Sequence, residues 1–269
     1  MKHLLIYLLL MTRFAVAQQV FNPLGAEAAA MGGAVVANSG SFAIQNNVAG
    51  MVWTDKIEVS VYNEMRYRLT NLSLSNANIL VPFKRFHLGF GVNHFGYDLY
   101  NQQKFNIAIA RKLNSQFSLG VSMALFGVNI SENSQAFTFM GDMGLQYKPT
   151  KNLNFGISIF NPTQSKLSEN NNVKVPTYAR IGTSYHFSEK LLINAEFEKS
   201  LGLPEIFRSG FAYKIHPAFT LRTGASTNPF LLTFGAGVKW SKLKVEMAAS
   251  YHQILGVTPH LSLICVFVN

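Results

Sequence analysis

The sequence predicts an all-β protein: an antiparallel transmembrane barrel of about fourteen strands with a short helical plug at its N-terminal end. Three observations lead there. Apolar and small polar residues alternate with period two over 8 to 12 residues, many times in succession, which is the strand period and not the helical one. Charged residues make up only 13% of the 269 residues, about half the ~25% of ordinary soluble domains, while aromatics reach 13%. The chain also opens with an export signal. Lys2 is a basic start, residues 4–11 are an apolar run, and Ala15-Val16-Ala17 forms a small-residue cleavage site before Gln18.

This gives three parts: a signal peptide at 1–17, a plug or hatch at 18–56, and a barrel at 57–269. The apolar run is too short to cross a bilayer as a helix, which takes about 20 residues. With Lys2 and Arg13 removed, 21 basic residues face 13 acidic ones, a net charge of +8. An exported chain without basic runs or a recognition helix points to an anionic membrane surface and not to nucleic acid. The single Cys265 leaves no internal disulfide, so the β-ladder must hold the fold.

Residues 22–53 are Ala/Gly-rich and almost uncharged. Asn22 is read as a helix N-cap, Pro23 as first-turn residue, and Gly32-Gly33 as the stop. Such a helix is too short to stand alone in water, so it is expected in the mouth of the barrel. Its plug residues are Ala28, Ala29, Ala30, Met31, Gly32, Gly33, Asn47, Ala49 and Gly50.

The strands follow near 57–64, 70–82, 85–95, 102–112, 115–130, 136–148, 152–161, 177–187, 190–199, 205–215, 217–225, 229–240, 243–252 and 258–268. In the fifth, Phe117, Leu119, Val121, Met123 and Leu125 share a face opposite Ser118, Gly120, Ser122 and Ala124. Bulky apolar residues on one side and Gly, Ser and Ala on the other suit lipid outside and a crowded lumen inside. Asn76-Ala77-Asn78 interrupts the pattern and is read as a bulge. Six turns, near 83–86, 111–117, 147–151, 187–190, 213–217 and 239–242, are short, basic and bracketed by aromatics, one per hairpin. They are expected on one rim, the periplasmic one, with longer loops on the other.

Gly25-Ala-Glu-Ala-Ala-Ala-Met-Gly-Gly-Ala followed by Asn47-Val48-Ala49-Gly50-Met51 resembles the start of FadL-like outer-membrane proteins, especially the PorV/PorQ-like group of Bacteroidetes. Asp142-Met-Gly-Leu-Gln-Tyr-Lys-Pro with the following Leu153–Pro162 stretch resembles a recurrent hairpin of that family. The resemblance implies an N-terminal hatch inside a fourteen-stranded barrel. It also implies one of two roles: plug-gated passage of hydrophobic small molecules across the outer membrane, or accessory work in type IX protein secretion. The chain departs from the family at Val48, where the family carries Pro, and in its shorter loops. Because the chain is near the smallest size that fits fourteen strands and a plug, transport ranks first. The expected partners are therefore outer-membrane lipid and either a hydrophobic ligand or secretion proteins.

Arg180, Glu196, Glu198, Arg208, Arg222, Lys244 and Glu246 all fall on the small-residue side of strands eight to thirteen. They are expected to fill the lumen as mutually neutralising ion pairs, with a polar pathway or a latch on the plug as the competing reading. Ser250 and His252 share a strand face, and His260 on the next strand can approach them. An enzyme is not expected, nor is a cofactor or metal. His87 and His94 are an odd number of residues apart and so point to opposite faces.

Overall fold

The computed structural model describes residues 23–130, 134–168 and 173–267. The signal peptide and Asn22 lie outside the described residues.

Fourteen antiparallel strands close into a barrel: β1 (Ile57–Met65), β2 (Ser73–Pro82), β3 (His87–Tyr97), β4 (Tyr100–Lys112), β5 (Phe117–Ile130), β6 (Ser134–Tyr147), β7 (Leu153–Phe160), then β10 (Tyr178–His186), β11 (Leu191–Ser200), β12 (Ile206–His216), β13 (Phe219–Ser226), β14 (Leu231–Trp240), β15 (Leu243–His252) and β16 (Gly256–Phe267). Each strand pairs with its sequence neighbours, and β1 closes the ring on β16 with Ser60 opposite Ile264. Closure leaves no sheet edge, the condition for strands to sit in hydrocarbon. A small hairpin, β8 (Lys166–Ser168) with β9 (Val173–Lys174), stands in the long connection after β7 and was not foreseen.

The alternation has the expected sense. Leu119, Val121 and Met123 are exposed, whereas Ser118, Ser122 and Ala124 are buried. The exposed apolar residues recur on every side, from Ile79 and Phe105 through Phe155 and Ile181 to Phe234 and Leu261. An apolar surface this continuous fits lipid and not water.

The basic turns all lie on the rim that carries Ile57 and Phe267, the two barrel ends. Phe83 stacks on Phe86 at 5.1 Å, Phe117 stacks on Tyr147 at 4.3 Å, and Phe187, Tyr213 and Trp240 stand exposed beside them. The far rim corrects one expectation. Only the connections after β1 and β7 are long, and others are as tight as the two residues between β3 and β4.

Asn76-Ala77-Asn78 is also corrected. The three residues pair without interruption to both β1 and β3, with Asn76 and Asn78 buried inward and Ala77 outward. Their side chains bond to each other, and Asn76 also reaches Asn93 at 2.8 Å, so large polar residues facing a polar lumen had mimicked a break. Among the described residues of the barrel, the register shift that does occur lies near the end of β12, between Lys214 and His216.

Candidate functional site: the lumen and its N-terminal segment

Residues 23–56 lie inside the barrel. They form α1 (Ala26–Ala30), α2 (Ala43–Asn46) and a 3-10 turn over Val48–Trp53. The first helix starts later than expected. Gly25 occupies its N-cap position at φ 112° without a side-chain cap, and Leu24 N–H is instead satisfied by Asn46 Oδ1 at 2.8 Å. Gly32 and Gly33 end the helix at φ 66° and 84°, a backbone conformation that side-chain-bearing residues rarely adopt. The segment does not stop at the mouth. It packs against β3–β6 on one side and β13–β16 on the other.

Several of the predicted plug residues lie against the wall, as do Val36, Ile44 and Gln45, which were not among them. Ala28, Ala30 and Met31 are buried against the wall, and Ala29 is partly buried. The backbone at Met31–Gly32 lies so close to Gly224 that a Cβ there would overlap it, and Gly156 faces the Val36 carbonyl in the same way. Thr233 Oγ1 donates to Ala30 O at 2.9 Å and accepts from Gly32 N–H at 3.0 Å. Asn47 caps the 3-10 turn by accepting from Ala49 N–H, while its amide donates to Val36 O at 2.6 Å. Ala49 O accepts from Ser118 Oγ at 3.0 Å, and Gly50 fits under the Asn38 carbonyl.

The stretch 34–38 belongs to no strand or helix, yet residues 34–37 are buried, so its backbone groups need partners. Wall side chains supply them. Asn194 donates to Ala34 O at 2.7 Å, Gln146 donates to Val36 O at 3.1 Å and Asn38 O at 2.8 Å, and Asn154 donates to Ala37 O. Glu196 Oε2 accepts from Val35 N–H and Val36 N–H, both at 2.8 Å. Sequence reasoning did not foresee that the inward amides at 146, 154 and 194 hold the segment. Their alternation with outward apolar residues was the available signal.

The lumen charges pair with one another, and two of them also contact the segment. Arg180 and Arg208 form a cluster with Glu196 and Glu198, with contacts of 2.7 Å for Arg180–Glu198 and 3.0 Å from Arg208 to each carboxylate. All four are buried, so the cluster neutralises itself. Two of the lumen charges also reach the segment: Glu196 through the backbone bonds above, and Arg222, which pairs with Glu246 on β15 and lies 3.6 Å from Glu27 on α1. Lys244 lines the lumen nearby without an ion pair among those of the described residues. A further buried pair, Lys104–Asp142 at 3.3 Å, was not foreseen.

Two cavities flank the segment. The one toward the basic rim, of about 360 Å3, is lined by Leu24, Ala28, Trp53, Lys148, Lys151 and Lys244. Lys148 sits 4.3 Å over the Trp53 ring, and Lys112 lies 5.3 Å from the same ring. Partial burial, and secondarily the Lys112 charge, push the Lys148 amine down to about 8. The cavity toward the far rim, of about 160 Å3, is lined by Pro23, Ala29 and Gly33 of the segment and by β1 and β12–β16 of the wall. Pro23 to Gly33 thus separates the two.

Ser250 and His260 meet in the far cavity. Ser250 Oγ is 2.9 Å from His260 Nε2, His260 Nδ1 is 2.8 Å from Tyr62 Oη, and Tyr62 Oη donates to Glu64 Oε2 at 2.8 Å. His252 does not join them; its Nδ1 accepts from Ile254 and Leu255 N–H in the adjoining turn. A Ser–His pair with a third orienting group has the outline of a nucleophile. Acyl transfer also calls for waiting oxyanion donors, and the Gly32 and Gly33 N–H groups at this cavity are already bonded to Thr233 and Ala28. His87 and His94 point to opposite faces, buried and exposed respectively.

No protein-family model matches the chain, and no curated protein matches it. Solved structures do. The chain is similar to the CymD monoaromatic hydrocarbon channel, with 14% identity, a TM-score of 0.73, and coverage of 93% of this chain and 99% of that one. It is also similar to the Pseudomonas putida toluene transporter TodX, at 15% identity, TM-score 0.71, and 93% and 100% coverage. A Pseudomonas aeruginosa FadL homologue aligns at 14% identity, TM-score 0.64, over 92% and 98%. At such identities the likeness establishes the fold, a FadL-like fourteen-stranded barrel.

Proposed function

We propose that the chain is an outer-membrane barrel through which small hydrophobic molecules pass, with residues 23–56 as the gate. The observation that carries this reading is the division of one lumen into two cavities by residues 23–33, which meet the wall largely through alanine and glycine, while Ile44, Met51 and Val52 seat the following stretch in an apolar cluster. Small residues let α1 and its glycine end lie close to the wall, the backbone that follows is held by Glu196 and a row of amides, and Arg222 reaches the Glu27 side chain. The lipid-facing apolar band, the even strand count and the signal-like N-terminus support the outer membrane as the location. The basic rim then faces the periplasm and meets anionic head groups, with the aromatics at the interface.

The channels and transporters that share the fold carry hydrocarbons by their names, which supports a hydrophobic cargo here. The type IX secretion reading and the PorV/PorQ-like subgroup have no support beyond the sequence resemblance. The test is uptake of labelled toluene by cells with an intact lipopolysaccharide layer. Expression of this chain is expected to accelerate entry saturably, and equal entry with and without it would remove the transport role.

A further inference from the structure

Resting on the transport reading, and deepening it, we infer that the far-rim cavity receives an uncharged single-ring aromatic carrying one hydroxyl, of the phenol class, held between Ser250 and His252.

Size comes first. At about 160 Å3 the cavity is close to the ~150 Å3 of a dry engineered cavity that takes up benzene. One ring fits and a long acyl chain does not. Ala29, Ile206 and Leu231 provide apolar wall for that ring.

Charge comes second. The ionic side chains lining the cavity are already compensated: Glu64 is paired with Arg66, and Arg208 with Glu196 and Glu198. An anionic or cationic ligand would lose its hydration and find no counter-ion. A neutral ligand suffers no such loss.

Hydrogen-bond direction comes third. Glu64, ionised beside Arg66, can only accept, so Tyr62 must donate to it. Tyr62 Oη therefore accepts from His260 Nδ1–H, which leaves Nε2 of the neutral imidazole as the acceptor of the Ser250 proton. The Ser250 oxygen thus offers lone pairs to the cavity and no proton. His252 is fixed the opposite way. Its Nδ1 accepts from two backbone N–H groups at 3.2 Å each, so its proton sits on Nε2 and the ring offers a donor. Ser250 and His252 are two residues apart on the same face of β15, and both line the cavity. An acceptor beside a donor is the complement of a hydroxyl, which donates and accepts at once. A hydrocarbon leaves both groups unpaired, and a carboxylate sets its oxygens against the Ser250 lone pairs.

Calorimetric titration of the detergent-solubilised full chain with phenol, toluene and benzoate tests this without any substitution. Phenol is expected to bind at least tenfold more tightly than either of the others, and Ser250→Ala to weaken phenol about tenfold while leaving toluene unchanged. Toluene binding as tightly as phenol, or indifference of phenol to Ser250→Ala, overturns the inference. If protein-dependent toluene uptake persists in cells, that result leaves the transport reading standing. If none of the three solutes shows protein-dependent uptake, the transport reading falls and this inference with it.

Discussion

If residues 23–56 gate the lumen as proposed, Glu196→Gln should loosen them without dismantling the wall. The carboxylate holds Val35 and Val36 N–H at 2.8 Å each and also meets Arg208 at 3.0 Å. Hydrogen bonds to a buried charge contribute about 1.5–3 kcal/mol, against ~1 for neutral ones, so the amide weakens the two backbone bonds by about 2 kcal/mol together. Turning an amide N–H toward Arg208 costs about 1 kcal/mol more, and the ~3 kcal/mol total corresponds to roughly 100-fold in the ratio of released to seated segment. Glu198→Gln is the matched control. Glu198 bonds Arg180 at 2.7 Å and Arg208 at 3.0 Å, and none of its hydrogen bonds or ion pairs among the described residues reaches the segment. It therefore removes the same charge from the same cluster and spares the latch. In planar-bilayer recording the Glu196→Gln channel should open roughly 100 times more often than the unaltered one, and the Glu198→Gln channel should stay near the parent. Equal opening in the two variants would refute the latch and reduce Glu196 to lumen filling.

The other expected outcomes are as follows. Leu119→Arg should block assembly, read as loss of heat-modifiable migration on gels, because a lipid-facing charge costs about 2–4 kcal/mol near the midplane; Ser122→Arg on the inner face, beside Asp142, should assemble far better. Gly156→Val should drive its side chain into the backbone at Val36–Ala37 and raise protease cleavage within 23–56 while the barrel itself keeps its heat-modifiable migration. Lys148, followed by NMR of 13C-methylated lysines, should titrate near 8 and not near 10.5. Because the folded state disfavours the Lys148 proton, the unfolded chain binds more protons between about 8 and 10.5, so this residue makes stability rise with pH across that window. Lys112→Gln should move its midpoint upward by removing a like charge, and an unmoved midpoint would discard that cause.

The barrel was legible because period-two patterning needs no knowledge of partners: Leu119 outward and Ser122 inward follow from chemistry and parity alone. The same parity separated His87 from His94 and placed Arg180, Glu196 and Arg208 in the lumen. It misled at Asn76 and Asn78, where polarity was taken for a break although an inner wall is where large amides belong. What the sequence could not reveal was the acceptor or donor at the other end of each inward side chain. Glu196 serves the backbone of Val35 and Val36, 160 residues away, and backbone groups look alike at every position of a sequence. The amide row of Gln146, Asn154 and Asn194 was hidden for the same reason. On the segment, Gly25 displaced the expected cap because Leu24 N–H found Asn46 through tertiary packing, a contact no local capping rule contains.

The gate itself is tested most directly by locking it. The position a Cβ would take on Gly235 is 2.5 Å from the Ala30 Cβ and 2.7 Å from Met247 O of the neighbouring strand, so α1 must move off by about 1 Å to accept a disulfide of ~3.8 Å Cβ separation, and β14 must yield slightly from β15. In a Cys265→Ser background, Ala30→Cys with Gly235→Cys would tie α1 to β14 when oxidised and free it when reduced. Toluene uptake by cells carrying this double variant should vanish under oxidation and return on reduction. Equal uptake in both redox states would contradict the account, because molecules would then be passing a segment that cannot move.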